Sequence, residues 1–278
     1  MKAGRTLPGF PVSFGITVAG VSLVVLLPLS TLVWTATAMS GEAFRATVTA
    51  PRVMASLTLS LGTALGAAAA ASAAGFLIAW VLVRLPFPGR SLVDSLIDLP
   101  FALPTAVAGI TLTTLYAPMG WLGRPLAALG VKASYTPLGI VLALVFLGLP
   151  FSVRTLQPVL AALDPEVEDA AASLGASRGQ TFLRVLLPEL FPAWLTGFAL
   201  AFARGLGEYG SVVFISGNMP MRTEVAPLLI MTKLEQYDTA GAAAIATVLL
   251  GASFLLLFGI NRLEAWSARP RRSARWRR

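Results

Sequence analysis

Cysteine and histidine are both absent from this 278-residue chain. Their absence removes disulfides, thiolate chemistry, imidazole bases and the common zinc ligands together, and leaves the redox compartment unreadable from cysteine usage. Charge is also scarce, at 12% of residues against 56% hydrophobic. A mean hydropathy of +0.78 is more apolar than a soluble core of this length accounts for. Lysine occurs only as Lys2, Lys132 and Lys233, preceded by Met1, Val131 and Thr232. A phosphate-binding P-loop needs Gly-Lys followed by Ser or Thr, so the sequence contains no Walker A site. What is present instead is a series of long apolar runs, which predicts an all-α integral membrane protein.

A helix needs about 20 apolar residues to cross the hydrocarbon. Six such spans are expected, near Phe14–Thr35, Met54–Val83, Leu99–Ala117, Tyr135–Val153, Phe191–Ser216 and Thr239–Ile260. The small residues ending at Ala38 look like a signal-peptidase site, but the apolar run before them exceeds an h-region of about 7 to 15 residues, so the first span reads as a retained anchor. With the N-terminus inside, 14 basic residues fall on the inner side and six on the outer: Arg45, Arg52, Arg124, Lys132, Arg222 and Lys233. The positive-inside rule then places both termini in the cytoplasm. The net charge of +8 comes largely from the ending RPRRSARWRR, for which an anionic lipid surface is the nearer partner. Elsewhere no basic stretch interleaved with aromatics argues for nucleic acid.

The second span carries Gly62, Gly66, Ala70 and Ala74 at four-residue spacing, a stripe that predicts close helix packing. In the third, Pro100 and Pro104 each remove a backbone donor. A broken helix lining a cavity and a kink inside a bundle are both compatible with that.

Between spans four and five lies a soluble-looking stretch. Asp164 is a good N-cap, Pro165 suits the first helical position, and Glu166, Glu168 and Asp169 place negative charge in or near the first turn. Val167, Ala170, Ala171 and Leu174 form a thin apolar face, and Gly175 suits a left-handed helix end. Ser177 and Gln180 read as a capping box for a second short helix. Its Phe182, Leu183, Val185 and Leu186 are expected to face the membrane domain, and Pro188 to end its regular bonding.

This stretch resembles the EAA motif of ABC importer permeases, which runs acidic-Ala-Ala, three residues, Gly, nine residues, an aliphatic, one residue, then Leu-Pro. Here the matching residues are Asp169-Ala170-Ala171, Gly175, Val185 and Leu187-Pro188, with aspartate where glutamate is usual. The resemblance implies a coupling helix near 164–187 that seats in a cleft of a separate cytoplasmic ATPase. It assigns that contact to Glu168, Asp169, Ala170, Ala171, Gly175 and Pro188. It also implies that ATP and Mg are used by the partner, with no cofactor in this chain.

In the fifth span Arg204 and Glu208 stand four apart. At mid-membrane each would cost about 2.5 to 3.5 kcal/mol facing lipid, so they are expected to pair. A structural ion pair and a polar element of a translocation path both fit. RGLGEYGSVVFISGNMPMRTEVAPLLIMTKLEQYD, with DLPFALPTAVAG, resembles the T-subunit type of sulfate/thiosulfate permease, kin of the molybdate permeases. The resemblance implies the type I ABC importer permease fold of the bacterial inner membrane. It further implies a heterodimer with a related permease subunit, two copies of an ATPase, and an extracytoplasmic sulfate/thiosulfate-binding protein, for which the outer loop 217–238 is the candidate surface.

Molybdate or another oxyanion is the alternative cargo. A secondary transporter would need coupling carboxylates, repeats or a filter, and a membrane enzyme a convergent nucleophile and base; neither set emerges. The chain divides into residues 1–53 (first helix and outer loop), a permease core at 54–262, and a basic tail at 263–278.

Overall fold

The computed structural model describes residues 10–268, with side chains through residue 265, and among them the regular structure is helical throughout. The order is α1 Phe10–Thr37, α2 Gly41–Val48, α3 Pro51–Arg84, α4 Arg90–Ile97, α5 Leu99–Ala102, α6 Thr105–Tyr116, α7 Gly123–Ala128, α8 Pro137–Ala161, α9 Pro165–Ser173, α10 Arg178–Leu206, α11 Val212–Ser216, α12 Ala226–Glu235 and α13 Thr239–Ala268. Five of these, α1, α3, α8, α10 and α13, are long and apolar enough to cross a membrane. The basic ending at 269–278 and residues 1–9, with Lys2 and Arg5, lie outside the described residues.

The third expected span is not one helix. Leu103 is extended, and Pro104, which has no N–H to donate, caps α6 by accepting the Ala108 N–H at 3.1 Å, so the run 99–117 splits into a four-residue and a 12-residue helix. At 1.5 Å per residue α6 covers about 18 Å, short of the hydrocarbon thickness, and the break belongs to the spanning segment.

The core is the trio α3, α8 and α10, with α12 and α13 packed against it and α1 at the edge on α13. We call the end where α3 and α8 finish the lower end, and the end where they begin the upper end. Small residues set how closely the trio packs. A Cβ on Gly75 would lie 2.5 Å from Ser152 Cβ, and one on Gly197 would lie 2.5 Å from Thr155 Oγ1. This corrects the expected stripe: Gly62 and Gly66 meet nothing within 4 Å, and the buried face of α3 runs through Ala64, Ala68, Ala71, Gly75 and Ala79. Serines decide the rotation. Ser56, Ser60 and Ser72 share that buried face; Ser60 Oγ accepts from the Ala226 N–H at 2.6 Å and Ser72 Oγ lies 3.4 Å from Ser152 Oγ. Inside an apolar bundle those polar atoms need such partners.

Pro188 does not end its helix. The turn Phe182–Leu186 widens to π geometry, Leu187 N–H bonding Phe182 O, and the helix continues to Leu206. The same arrangement occurs in α1, where Leu27 N–H bonds Ser22 O one residue before Pro28. A wide turn draws aside the carbonyl that a pyrrolidine ring would otherwise strike, so each Leu-Leu-Pro passes without a break.

Candidate functional site

At the lower end the chain leaves α8 and builds α9 from its own caps. Asp164 Oδ1 accepts the Glu166 N–H at 3.0 Å, with Pro165 opening the helix. Gly175 ends it at φ +83°. Ala176 N–H bonds Ala171 O at 3.0 Å and Gly175 N–H bonds Ala172 O at 2.9 Å, the paired bonds of a Schellman motif. Two residues on, Ser177 Oγ accepts from Gln180 N–H and Gln180 Oε1 accepts from Ser177 N–H, the reciprocal capping box. Both ends of the connection between α9 and α10 are therefore closed by local hydrogen bonds, and the element holds its shape while projecting from the bundle.

Two adjacent acids of this helix part company. Glu168 turns inward and lies 2.7 Å from Arg84 at the end of α3, an ion contact rather than an aligned hydrogen bond. Arg84 also sits over the Trp80 ring at 5.7 Å. Asp169 is exposed, as are Val167, Ala170 and Leu174, the last 88% exposed. Beneath them Phe182 packs edge-on against Phe76 and Trp80, with Trp194 beside Phe76, and Leu186 is buried. Leu183 does not join them. It is 61% exposed, because the π turn rotates the residues it contains away from a regular α-helical face. The expected residues Glu168, Asp169, Ala170, Ala171 and Gly175 thus share one element, while Pro188 lies in α10 behind it.

A second lower-end feature has no signal in the local sequence. Arg154 of α8 donates Nε to Asp98 Oδ1 at 2.9 Å, Nη1 to Asp94 Oδ1 at 2.8 Å and to Gln157 Oε1 at 2.6 Å, and Nη2 to Asp98 Oδ2 at 2.6 Å and to Asp94 O at 2.9 Å. All five guanidinium hydrogens are thereby used. Gln157 Nε2 adds a bond to Asp94 Oδ1 at 2.8 Å. Outside the spanning helices, Asp94 is held below the usual carboxylate range, first by the Gln157 amide and then by Arg154. The cluster fastens α4 and the start of the broken α5–α6 segment to α8, ten residues before the Asp164 cap.

Toward the upper end Arg204 and Glu208 do pair, but not on one continuous helix. α10 stops at Leu206, and Glu208 lies in the loop beyond. Glycines at Gly205, Gly207 and Gly210 loosen this segment, and Glu208 finds two further donors there: Ser211 N–H at 2.8 Å and Ser211 O–H at 3.0 Å. α6 closes over the same loop. A Cβ on Gly109 would lie 2.5 Å from Ser211 O, and one on Gly210 would collide with Thr105 Oγ1.

The expected outer loop is largely not a loop. Thr223, Glu224, Val225, Ala226, Leu228 and Leu229 are buried, and Glu224 takes a bidentate bond from Arg52 at 2.7 Å for each oxygen. Lys233 pairs with Asp238 at 2.8 Å, and this bond, with the Gly241 N–H, holds the Asp238 carboxyl below its usual range. Met221, Arg222 and Tyr237 remain exposed there. Among the described residues no group of three or more acidic side chains is placed to hold a metal ion.

Residues 71–266 match the family described as the binding-protein-dependent transport system inner membrane component. The chain is 49% identical over 265 residues to the sulfate transport system permease protein CysT of Escherichia coli, covering 95% of this chain and 96% of that protein. It is 46% identical to the protein of the same description from Synechocystis, covering 91% and 89%. Among solved structures, a bacterial ABC transporter that imports the acidic polysaccharide alginate superposes with a TM-score of 0.75 over 94% of this chain and 97% of that one, at 13% identity. The methionine ABC transporter MetNI gives 0.58 over 83% and 100%, at 15% identity. At such identities the likeness speaks to fold alone.

Proposed function

The chain belongs to the family of binding-protein-dependent inner-membrane transport components, and from that premise we propose that it is a permease subunit of an ATP-driven importer whose cargo is sulfate or thiosulfate. The cargo follows the relatives named as sulfate permeases, which align over nearly the full length. The function of the lower end follows one observation. A self-capped helix stands off the bundle with Leu174 88% exposed and small residues around it, while Glu168 ties it to α3. Alanine and glycine admit a partner to backbone distance, and exposed Val167 and Leu174 give that partner apolar surface to cover.

In this reading the lower end is cytoplasmic and both termini lie on that side. The partner at α9 is a cytoplasmic ATPase, present in two copies, which uses ATP and Mg; this chain supplies no nucleotide site. A related permease subunit completes the membrane pore, and a sulfate/thiosulfate-binding protein delivers cargo to the upper end. When the ATPase closes on α9, the displacement enters α3 through Glu168 and Arg84, and enters α10 directly through the capped turn at Ser177. It reaches the broken α5–α6 segment through Arg154. The three paths move different helices of one subunit together, as alternating access requires.

The test is sulfate uptake by the complex in sealed vesicles. Uptake should require ATP, the ATPase and the binding protein together. Uphill uptake by this permease without an ATPase would refute the reading.

A further inference from the structure

Both oxygens of Glu208 are occupied, one by Arg204 and the other by Ser211, and the side chain is 3% exposed. Arg204 is in the opposite condition. One of its hydrogens is engaged by Glu208, and its side chain is 36% exposed beside exposed Leu200 and Ala203 on the same helix. The position is not at the rim. Glu208 shares a narrow cleft with Ser60 and Thr63, nine and 12 residues into α3, which puts it about 14 to 18 Å below the upper end of that helix. A guanidinium at such depth does not face lipid.

We infer that the open side of Arg204 lines the translocation route and is its oxyanion contact, with Glu208 behind it keeping that contact weak. The inference rests on the reading of the chain as a sulfate-conducting permease. A guanidinium fork matches two oxygens of a tetrahedral dianion. An unneutralised arginine in a low-dielectric passage would retain a dianion, whereas conduction needs an ion that enters and leaves. The buried carboxylate supplies the neutralisation and fixes the guanidinium so that its remaining hydrogens point away from it. Ser211 keeps Glu208 in place from the other side. Glu208 is thus a positioning residue, and Arg204 the group that touches the cargo.

The absence of cysteine supplies a direct probe. In the assembled complex, Ala203→Cys should react with a water-soluble anionic methanethiosulfonate, read as a mass increase on this chain, and sulfate should slow that reaction several-fold. Protection should vanish when Arg204→Gln is added. Labelling of the separated subunit but not of the assembled complex would overturn the inference, because the face would then be buried against the other permease subunit. Uptake gives the second reading. At saturating loaded binding protein, Arg204→Gln should lower sulfate uptake per intact complex at least tenfold and Arg204→Lys should lower it less. Wild-type uptake rates in intact Arg204→Gln complexes would contradict the assignment, and if that variant fails to assemble, the Ala203→Cys protection decides alone. Vesicles in which the wild type also takes up no sulfate would count against the proposed cargo instead.

Discussion

The Glu168 carboxylate lies 2.7 Å from the Arg84 guanidinium, so the helix that stands off the bundle is anchored to the last residue of the longest helix in it. In the proposed reading an anchor of this kind makes Glu168, just before the Asp169-Ala170-Ala171 triplet, a lever rather than a docking group. Glu168→Gln should leave membrane insertion and ATPase binding intact while lowering uptake per ATP hydrolysed. The ratio of the two rates in vesicles checks it; an unchanged ratio places the transmission elsewhere.

Arg204 and Glu208 form a pair in which loss of the arginine leaves a buried carboxylate with only the neutral Ser211 donors. Arg204→Ala leaves a buried carboxylate and should destabilise the subunit by about 3 kcal/mol, most of which Glu208→Ala should restore in the double variant. Thermal unfolding in detergent measures the cycle. A double variant no more stable than either single one would show that the pair is not an isolated bridge.

Asp94 supplies a pH dependence whose sign is fixed. Its folded pKa lies below the unfolded value of about 3.9, first through the Gln157 bond and then through Arg154. Its contribution is therefore present above about pH 4 and is lost as pH falls through the depressed folded value. Gln157→Ala should flatten this acid limb of the stability curve. Since the groups are 32 to 46% exposed, Arg154→Ala should cost only about 1 to 2 kcal/mol after screening. A denaturation series from pH 7 to pH 3 tests both.

The rotation of α3 makes a paired prediction. Gly75→Ala forces a Cβ to within 2.5 Å of Ser152, while Gly62→Ala meets open space. The first should destabilise by about 1 to 3 kcal/mol as overpacking does; in the isolated subunit the second should be neutral or slightly stabilising through helix propensity. Comparable unfolding temperatures for the two would place the close contact on the wrong face.

What the sequence made legible was short in range. Asp164, Gly175 and the Ser177–Gln180 box act over two to five residues, and the structure places each in the conformation its chemistry predicts. Pro100 and Pro104 marked a kink or a break alike, and the structure breaks the helix at the second and not the first. The face of α3 was not local, since four-residue spacing marks Gly62–Gly66 and the neighbouring alanine rows alike, and only Ser152 and Ala226, far along the chain, select between them. Pro188 forbids one hydrogen bond, and a π turn satisfies that demand without ending the helix; no single residue marks such a turn. The Arg154 cluster joins residues 56 to 63 positions apart, beyond any periodicity. Glu208 was found as a partner for Arg204 but misplaced on the helix, because the glycines around it permit both a helical and a looped course.

The claim on which the account turns is that force enters through α9, and Gly175→Trp tests it most directly. Nothing lies within 4 Å of its Cβ, and at φ +83° a tryptophan also strains the end of α9, so the change falls on the projecting element while the bundle is untouched. The account predicts normal insertion and assembly of the permease pair, with ATP hydrolysis no longer stimulated by loaded binding protein. Full stimulation in the variant would contradict it.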